Sequence, residues 1–265
     1  MTLPTQMGAK ALAQQTLTAD AVWRQLHQAA SDPYRSTGMF GWQFARGKLA
    51  RDPVFRAVLQ RGLIRPQAQV LDIGCGQGLL ASLLAACDAP AALQMWPADW
   101  PPAPSSTRYN GIELMPRDVA RAQAALQAVA PHAHFACADM RDVVLPRCDL
   151  VVILDVLHYV DHAAQDALLA RVHAALTSGG RLLLRVGDTD NTWRFAISRW
   201  VDLCVTRMRG HQVAPTFGRS LAQWQASLVA CGFAVSMQAM SQGTPFANVL
   251  LVCDKLVGDK PGAPT

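Results

Sequence analysis

The segment from residue 69 to residue 78, Q-V-L-D-I-G-C-G-Q-G, constrains the fold of this chain more than any other. A short apolar run ends there in glycines at alternate positions, Gly74, Gly76 and Gly78, and a leucine- and alanine-rich segment follows. Glycine permits backbone conformations that a Cβ forbids and lets a ligand approach closely. The pattern predicts a strand, a tight turn and a helix N-terminus, whose unpaired N–H groups suit a nucleotide-like ligand. A plain strand-to-helix turn in an α/β protein is the alternative.

Strand-like and helix-like segments alternate along the chain after this turn. The further strands are predicted over residues 109–114, 134–139, 149–155 and 181–187, and the helices over 79–86, 116–130 and 163–176. The continuous apolar run at 149–155 is typical of a central parallel strand covered on both faces. Right-handed crossovers then predict a doubly wound parallel sheet with ligands at the carboxyl ends of its strands. Residues 233–240 and 248–253, around a Gly-Thr-Pro turn, predict an antiparallel pair at one edge.

The remaining segments suggest a division of the chain. Residues 1–66 are predicted to form an N-terminal helical and aromatic-rich segment, which covers the core or roofs the site. In it, Thr18 is predicted to cap one helix, and Asp52-Pro53 reads as an N-cap and first-turn proline of another. Residues 67–255 are predicted to form the α/β domain, and 256–265 a flexible Gly/Pro tail. A further helix is expected at 191–208, and Ser220 is expected to cap one that ends near Ala230.

The stretch from residue 87 to residue 108 interrupts the alternation. It contains five prolines and two tryptophans, which predicts an irregular insertion, residues 88–108, rather than a strand or helix. The tryptophans either contact a partner or substrate or fold back on the domain.

Composition and charge exclude several classes of protein. The chain has 265 residues, 51% of them hydrophobic, which is enough for a large core. Seven cysteines without C-x-x-C spacing argue against a disulfide framework or zinc site and favour a cytoplasmic location. No membrane span and no signal peptide are visible. The net charge of +5 is spread over single arginines, which indicates a solvated basic face or a mild attraction to an anionic substrate or carrier.

Five motifs follow one another at predicted strand ends between residues 69 and 186. They are L-D-I-G-C-G-Q-G, G-I-E-L, A-D-M, D-L-V-V-I-L-D-V-L-H and G-G-R-L-L-L-R. In this order they resemble the motif series of class I S-adenosylmethionine (SAM)-dependent methyltransferases. The resemblance implies a Rossmann-like seven-stranded sheet of order 3-2-1-4-5-7-6 with an antiparallel last strand, an N-terminal helical lid and SAM as the cofactor. An NAD-type site would favour G-x-G-x-x-G spacing, which the turn lacks.

The resemblance also implies roles for single residues, and no metal-binding residue is expected. The positions it assigns to SAM are Asp72, Gly74, Cys75, Gly76, Gly78, Glu113, Leu114, Asp139, Met140 and Asp155. The glycine turn would lie under the methionine part, and Asp155 near its end. Glu113 would accept both ribose hydroxyls, since a carboxylate offers two oxygens to paired donors. Asp139 and the Met140 backbone would hold the adenine. For each acid, a helix N-cap or surface carboxylate is the alternative.

Methyl transfer from a sulfonium asks the protein to align donor and acceptor and, for some acceptors, to remove a proton. His158 is the candidate base, because it follows the fourth strand directly and imidazole titrates near neutrality. Tyr159 beside it is the second candidate catalytic residue. A hydrogen-bonded loop histidine is the alternative role for His158.

The sequence after the fourth strand narrows the class of acceptor. It lacks the N/D-P-P-Y/F motif of amino-methylating DNA and RNA enzymes and the Pro-Cys of cytosine C5 enzymes. A small-molecule acceptor, free or carrier-bound, is therefore favoured. The stretch from Tyr34 to Phe55 is also similar to methyltransferases of bacterial aryl-polyene and xanthomonadin-type pigment clusters, which implies a phenolic acceptor methylated on carbon or oxygen. The alternatives are a nucleic-acid (RNA) methyltransferase that uses the basic surface and a non-catalytic SAM-binding protein.

Overall fold

A mixed sheet forms the centre of the computed structural model, which describes residues 18–187, 217–240 and 248–257. Its strands are β1 (Gln69–Ile73), β2 (Arg108–Glu113), β3 (Ala133–Cys137), β4 (Cys148–Leu154), β5 (Leu176–Gly187), β6 (Phe233–Ala239) and β7 (Asn248–Lys255). Within the described ranges the order is β3-β2-β1-β4-β5-β7-β6. Strands β1 to β5 pair in parallel, and β7 is antiparallel to β5 and β6. The predicted fold class, strand order and antiparallel strand are confirmed.

Helices cover both faces of this sheet. They are α1 (Ala19–Ser31), α2 (Met39–Arg51), α3 (Pro53–Gln60), α4 (Leu79–Ala92), α5 (Pro116–Leu126), α6 (His162–Ala175) and α7 (Leu221–Ala230). Helices α1 to α5 pack into one core, and α6 and α7 into the other. Side chains of β4 alternate between the two: Val152 faces the first, and Val151 and Ile153 the second. The apolar run that marked β4 is thus buried on both faces, as predicted.

The N-terminal helices share a core with the sheet. The side chains of Val22, Tyr34 and Phe55 belong to the same buried cluster as Val70 of β1. The Ser82 hydroxyl in α4 donates a hydrogen bond of 2.6 Å to the Ala30 carbonyl. Predicted caps are present: the side chains of Thr18, Asp52 and Ser220 accept bonds from the first turns of α1, α3 and α7. The helices are present, and the division of the chain at residues 66 and 255 stays a prediction.

The insertion begins later than the sequence predicts. Helix α4 continues through Pro90 to Ala92, so the irregular stretch starts at residue 93 rather than 87. A proline there removes only one N–H from the last turn, which a helix end tolerates. Trp96 donates through Nε1 to the Pro101 carbonyl at 2.8 Å and packs edge-on against the buried Trp100. The tryptophans therefore fold back on the domain, the second of the two alternatives.

The start of β5 also differs from the prediction. Residues 176–180 extend the strand instead of ending α6, because Leu176 pairs with Cys148 of β4 across a register shift. The predicted helix at 191–208, the Gly-Thr-Pro turn and the tail from residue 258 lie outside the described residues. No helix within the described ranges is long and apolar enough to cross a membrane.

A buried arginine ties the N-terminal helices to the sheet. Arg185 of β5 has a side chain only 2% exposed and lies between two carboxylates, Asp52 at the start of α3 and Asp155 after β4. Its guanidinium donates to Asp52 at 2.8 Å and to Asp155 at 2.9 Å. Burial opposes ionisation of Asp52, but the charges of Arg185 and Lys48 outweigh it and hold the pKa of Asp52 well below its usual range. This ion cluster joins α3, β4 and β5.

Arg185→Met removes the cation, so the buried Asp52 carboxylate keeps only Lys48 as a partner and the partly exposed Asp155 carboxylate loses its ion pair. We expect the free energy of unfolding to fall by about 3–5 kcal/mol, the usual cost of breaking a buried pair. Urea-induced unfolding at pH 7 measures it. The control is Asp254→Asn in β7, which removes the partner of Arg181, another arginine of β5. The Asp254 side chain is 47% exposed, so we expect a loss of unfolding free energy of about 1 kcal/mol or less. Equal losses in both variants would contradict the role of the buried cluster.

Candidate active site

The glycine turn joins β1 to α4 at the carboxyl edge of the sheet. Gly74, Gly76 and Gly78 all have left-handed backbones, with φ of 78°, 54° and 75°. A Cβ on Gly74 would lie 2.5 Å from the Val156 side chain, and one on Gly78 would lie 2.8 Å from the Phe135 ring. A Cβ on Gly76 would meet nothing within 4 Å. The outer glycines therefore allow close packing, whereas Gly76 faces open space where a ligand fits.

The N-terminal segment holds this turn from behind. Tyr34 is fully buried and donates its hydroxyl to the Gln77 carbonyl at 2.7 Å. Gln77 is 2% exposed, and among the described residues neither Nε2 nor Oε1 of its amide has a hydrogen-bond partner. Sequence reasoning missed both residues. The aromatic-rich stretch around Tyr34 was the available signal, but nothing in it pointed to residue 77.

Glu113 links the end of β2 to the glycine turn. Its carboxylate accepts one bond from the Gly76 N–H at 2.9 Å and another from the Met115 N–H at 3.0 Å. A carboxylate has about four acceptor positions, so two remain for a ligand. Leu114 next to it is 54% exposed and lies at the same strand end. The structure thus brings two predicted site elements, the turn and Glu113, into direct contact.

Asp72 lies beneath the turn rather than at its surface. The carboxyl group is 4% exposed and accepts a hydrogen bond from the Tyr109 hydroxyl. Burial raises the pKa of Asp72 to about 7, the Tyr109 bond lowers it, and the charge of Glu113 raises it further. Burial also raises the pKa of the Cys75 thiol, with Asp72 and Glu113 adding to the effect. Cys75 is therefore an uncharged packing residue, and Gly111 leaves room for it, since a Cβ there would lie 2.7 Å from the sulfur.

Asp139 lies two residues beyond the end of β3, and its carboxylate is paired with Arg141. The Arg141 side chain donates to it at 2.6–3.1 Å, and the Arg141 backbone N–H donates at 2.9 Å. These hydrogen bonds lower the pKa of Asp139. The Met140 carbonyl accepts a bond of 3.0 Å from Arg171 in α6, which fixes the backbone of this segment. A ligand that reaches the Asp139 carboxylate must share it with Arg141 or displace that side chain.

Asp155 and His158 follow β4 in a short turn that includes a 3₁₀ helix, Leu157–Tyr159. Asp155 has a left-handed backbone, φ 60°, and its carboxylate points to Arg185. The ring of His158 lies 4.3 Å from that of Tyr159. Its Nε2 is buried and has no hydrogen-bond partner within the ranges that the structure describes. Burial lowers the pKa of His158, against the opposing charge of Asp155, so the ring is neutral at pH 7.

These elements lie side by side in the order of the sheet. Asp139 follows β3, Glu113 ends β2, the glycine turn follows β1, and His158 follows β4. Neighbouring strands are about 4.8 Å apart, so the row extends over about 14 Å. That length suits an elongated ligand with a nucleoside at one end and a reactive group at the other. The open space at Gly76 and the free acceptor positions on Glu113 fit SAM.

Asp72 makes stability depend on pH. Because its pKa is raised from 3.8 to about 7, the folded chain binds more protons than the unfolded chain in this range, and stability falls as pH rises through it. Asp72→Asn removes the titration. We expect the unfolding free energy of Asp72→Asn relative to wild type to increase by about 2–4 kcal/mol between pH 4.5 and pH 8. Urea unfolding at both pH values tests this, and a difference that does not change with pH would contradict it.

Known proteins that are similar to this chain in sequence or in structure include methyltransferases. A segment of tetracenomycin polyketide synthesis 8-O-methyl transferase TcmO from Streptomyces glaucescens is 30% identical over 84 residues, which is 31% of this chain. The chain spans only about a quarter, 25%, of that curated relative. An O-methyltransferase family protein from Burkholderia thailandensis superimposes with a TM-score of 0.59 at 15% identity, covering 90% of this chain and 69% of that one.

A second solved structure is magnesium protoporphyrin IX methyltransferase (ChlM) from Synechocystis PCC 6803, with bound SAH. It superimposes with a TM-score of 0.55 at 18% identity, covering 91% of this chain and 95% of that one. At such identities the two structures establish the fold alone. A family described as a methyltransferase domain matches residues 42–229, more than two thirds of the chain. The predicted family and its cofactor, SAM, are thereby confirmed, and the chain belongs to the methyltransferase domain family.

Proposed function

We propose that this protein transfers the methyl group of SAM to a small-molecule acceptor, with His158 as the base. The observation that carries the proposal is the packing of Val156 on Gly74, whose Cβ position lies 2.5 Å from that side chain. It brings the His158 turn directly against the glycine turn. A donor bound along the glycine turn would therefore have its methionine end beside His158.

The cofactor roles follow from the row of strand ends. Glu113 uses its remaining acceptor positions for the ribose hydroxyls, and Asp139, with the Met140 backbone, receives the adenine amine. Gly76 leaves the space that the methionine part occupies. Asp72 acts from below, since it is buried under the turn, and the partly buried Cys75 acts as a packing residue within the turn. Asp155 acts at longer range, because Arg185 holds its carboxylate.

The chemistry asks one proton transfer of the protein. SAM supplies an electrophilic methyl group on a sulfonium, which needs no further activation. His158 is neutral at pH 7 because burial lowers its pKa, and its Nε2 has no hydrogen-bond partner among the described residues. In the tautomer that carries its proton on Nδ1, Nε2 would accept a proton from an acceptor hydroxyl or ring position. Tyr159 contacts the His158 ring and limits its orientation.

The acceptor is proposed to be aromatic and phenolic, free or carrier-bound. Support comes from the resemblance of residues 34–55 to methyltransferases of aryl-polyene and xanthomonadin-type clusters and from the partial match to an 8-O-methyl transferase of polyketide synthesis. Residues 1–66 are proposed to roof the acceptor side. In support, Tyr34 bonds the glycine turn and Asp52 bonds Arg185, which also holds Asp155. The cytoplasmic location stays a prediction.

The variants Gly76→Ala and Gly74→Ala distinguish an effect on SAM binding from an effect on folding. Each Cβ is placed on a left-handed backbone, which costs about 1–2 kcal/mol. At Gly74 the Cβ also collides with Val156, so we expect Gly74→Ala to unfold more easily than Gly76→Ala. Gly76→Ala should stay folded yet bind SAM at least about tenfold more weakly, because its Cβ enters the cofactor space. Urea unfolding and calorimetric titration with SAM measure both, and wild-type affinity in Gly76→Ala would remove the assigned binding position.

Labelled methyl transfer tests the activity itself. The protein is incubated with methyl-labelled SAM and either a lysate small-molecule extract or a panel of hydroxylated benzoic and cinnamic acids, and products are identified by mass spectrometry. His158→Gln should lower kcat by about 10²-fold or more and leave SAM affinity unchanged. Because burial lowers the pKa of His158, the acid limb of the wild-type pH profile should lie below the usual range of a histidine side chain.

The control variant is His132→Gln, an exposed histidine next to the amino end of β3, which should keep wild-type turnover. Full activity of His158→Gln would exclude His158 as the base. A parallel incubation contains total RNA, and labelling of RNA in place of small molecules would support the nucleic-acid alternative. SAM binding without transfer to either would support the non-catalytic alternative.

A further inference from the structure

Gln165 is a buried polar residue at a position where the helix pattern calls for an apolar one. The buried residues of α6 are Gln165, Leu168, Leu169 and Val172, the i, i+3, i+4, i+7 stripe that faces the core. Gln165 is 0% exposed. An amide without hydrogen bonds at such a site costs about 1–3 kcal/mol relative to an apolar side chain, so its bonds must account for its presence.

Those bonds all go to the turn after β4 and to the chain that returns beside it. The Gln165 Nε2 lies 3.0 Å from the Leu157 carbonyl, 2.9 Å from the Val160 carbonyl and 2.8 Å from the Phe217 carbonyl. The two N–H groups of this amide are shared among the three carbonyls, and the amide Oε1 is buried without a hydrogen-bond partner among the described residues. The three carbonyls fix the orientation of the amide, because a flipped amide would place oxygen against oxygen. The Phe217 N–H in turn donates to the His158 carbonyl at 3.3 Å.

The His158 turn therefore depends on donors from outside it. Its internal backbone bonds, from Tyr159 to Val156 and from Val160 to Leu157, are both 3.2 Å. The carbonyls of Leu157, His158 and Val160 are all bonded by Gln165 or Phe217. Arg219 ties the returning chain to α6 as well, through two bonds to Asp166 at 2.7 and 2.9 Å. The start of α6, the turn and residues 217–219 form one hydrogen-bonded unit.

We propose that Gln165 is a positioning residue, which fixes the turn so that the His158 ring faces the methyl acceptor. The predicted effect on turnover rests on the proposed function. The effect of Gln165 on the backbone of the turn can be measured without any substrate. Gln165 is fully buried and has no surface for a cofactor or an acceptor. It acts through the backbone of Leu157 and Val160.

Gln165→Met tests the proposal, because Met has similar length and no hydrogen-bond donor. We expect the amides of Tyr159 and Val160 to exchange with deuterium at least about tenfold faster than in wild type, while those of β4 are unchanged. SAM affinity should stay within about twofold, and kcat on the phenolic panel should fall at least about tenfold with little change in acceptor KM. Val172→Ala, two helical turns further along the same stripe, is the matched control and should leave kcat and the exchange rates of Tyr159 and Val160 near wild type.

Each other outcome is decisive. Unchanged deuterium exchange at Tyr159 and Val160 would show that Gln165 does not fix the turn. Faster exchange with unchanged kcat would show that Gln165 has only a structural role, and either result would overturn the proposal. If the wild-type protein transfers no methyl group, the proposed function fails. The exchange rates of Tyr159 and Val160 still test whether Gln165 fixes the turn. If Gln165→Met does not fold, the wild-type side-chain amide protons provide the test: those of Gln165 should exchange more slowly than those of the exposed Gln127, and equal rates would overturn the proposal.

Discussion

Four separate parts of the chain contact the turn between β1 and α4 and fix its position. Tyr34 bonds the Gln77 carbonyl from the N-terminal segment, Glu113 accepts the Gly76 N–H from the end of β2, and two side chains, Phe135 of β3 and Val156 after β4, pack on the outer glycines. The contacts of Phe135 and Val156 need a backbone that comes close and bends in the left-handed sense, which only glycine does at low cost. The position of the turn is thus set by the rest of the fold, and the cleft depends on it.

Buried charge shapes both sides of this cleft. Under the turn, Asp72 is held by Tyr109 and raised in pKa by burial and by Glu113. Beyond β4, Arg185 joins Asp52 to Asp155 and holds the N-terminal helices against the strand that leads to His158. Charges out of water are costly unless paired, so these groups stabilise one arrangement of the cleft over others. The sheet supplies the framework, and the ion cluster and the Gln165 bonds fix the acceptor side.

The sequence predicted the parts of this structure that depend on local patterns. Apolar runs predicted the strands and with them the place of Glu113 at the end of β2 and of Asp139 just beyond β3, and Asp52-Pro53 predicted the cap of α3. The end of α4 was predicted too early, because a proline in the last turn of a helix breaks few hydrogen bonds. The start of β5 was predicted too late, because Leu176 pairs with β4 although glycines follow it. The links that hold the site were not predicted: Tyr34 to Gln77, Arg185 to Asp52 and Gln165 to Phe217 join residues 43, 133 and 52 positions apart and leave no local pattern.

A crystal structure of the protein with S-adenosylhomocysteine tests the central claim most directly, namely that the cofactor lies along the row of strand ends with its sulfur toward the His158 turn. The account predicts ribose hydroxyls within hydrogen-bond distance of Glu113, adenine beside Asp139 and Met140, and the sulfur on the side of Gly74 and Val156. A ligand whose ribose is not bonded by Glu113, or whose sulfur points away from His158, would contradict it.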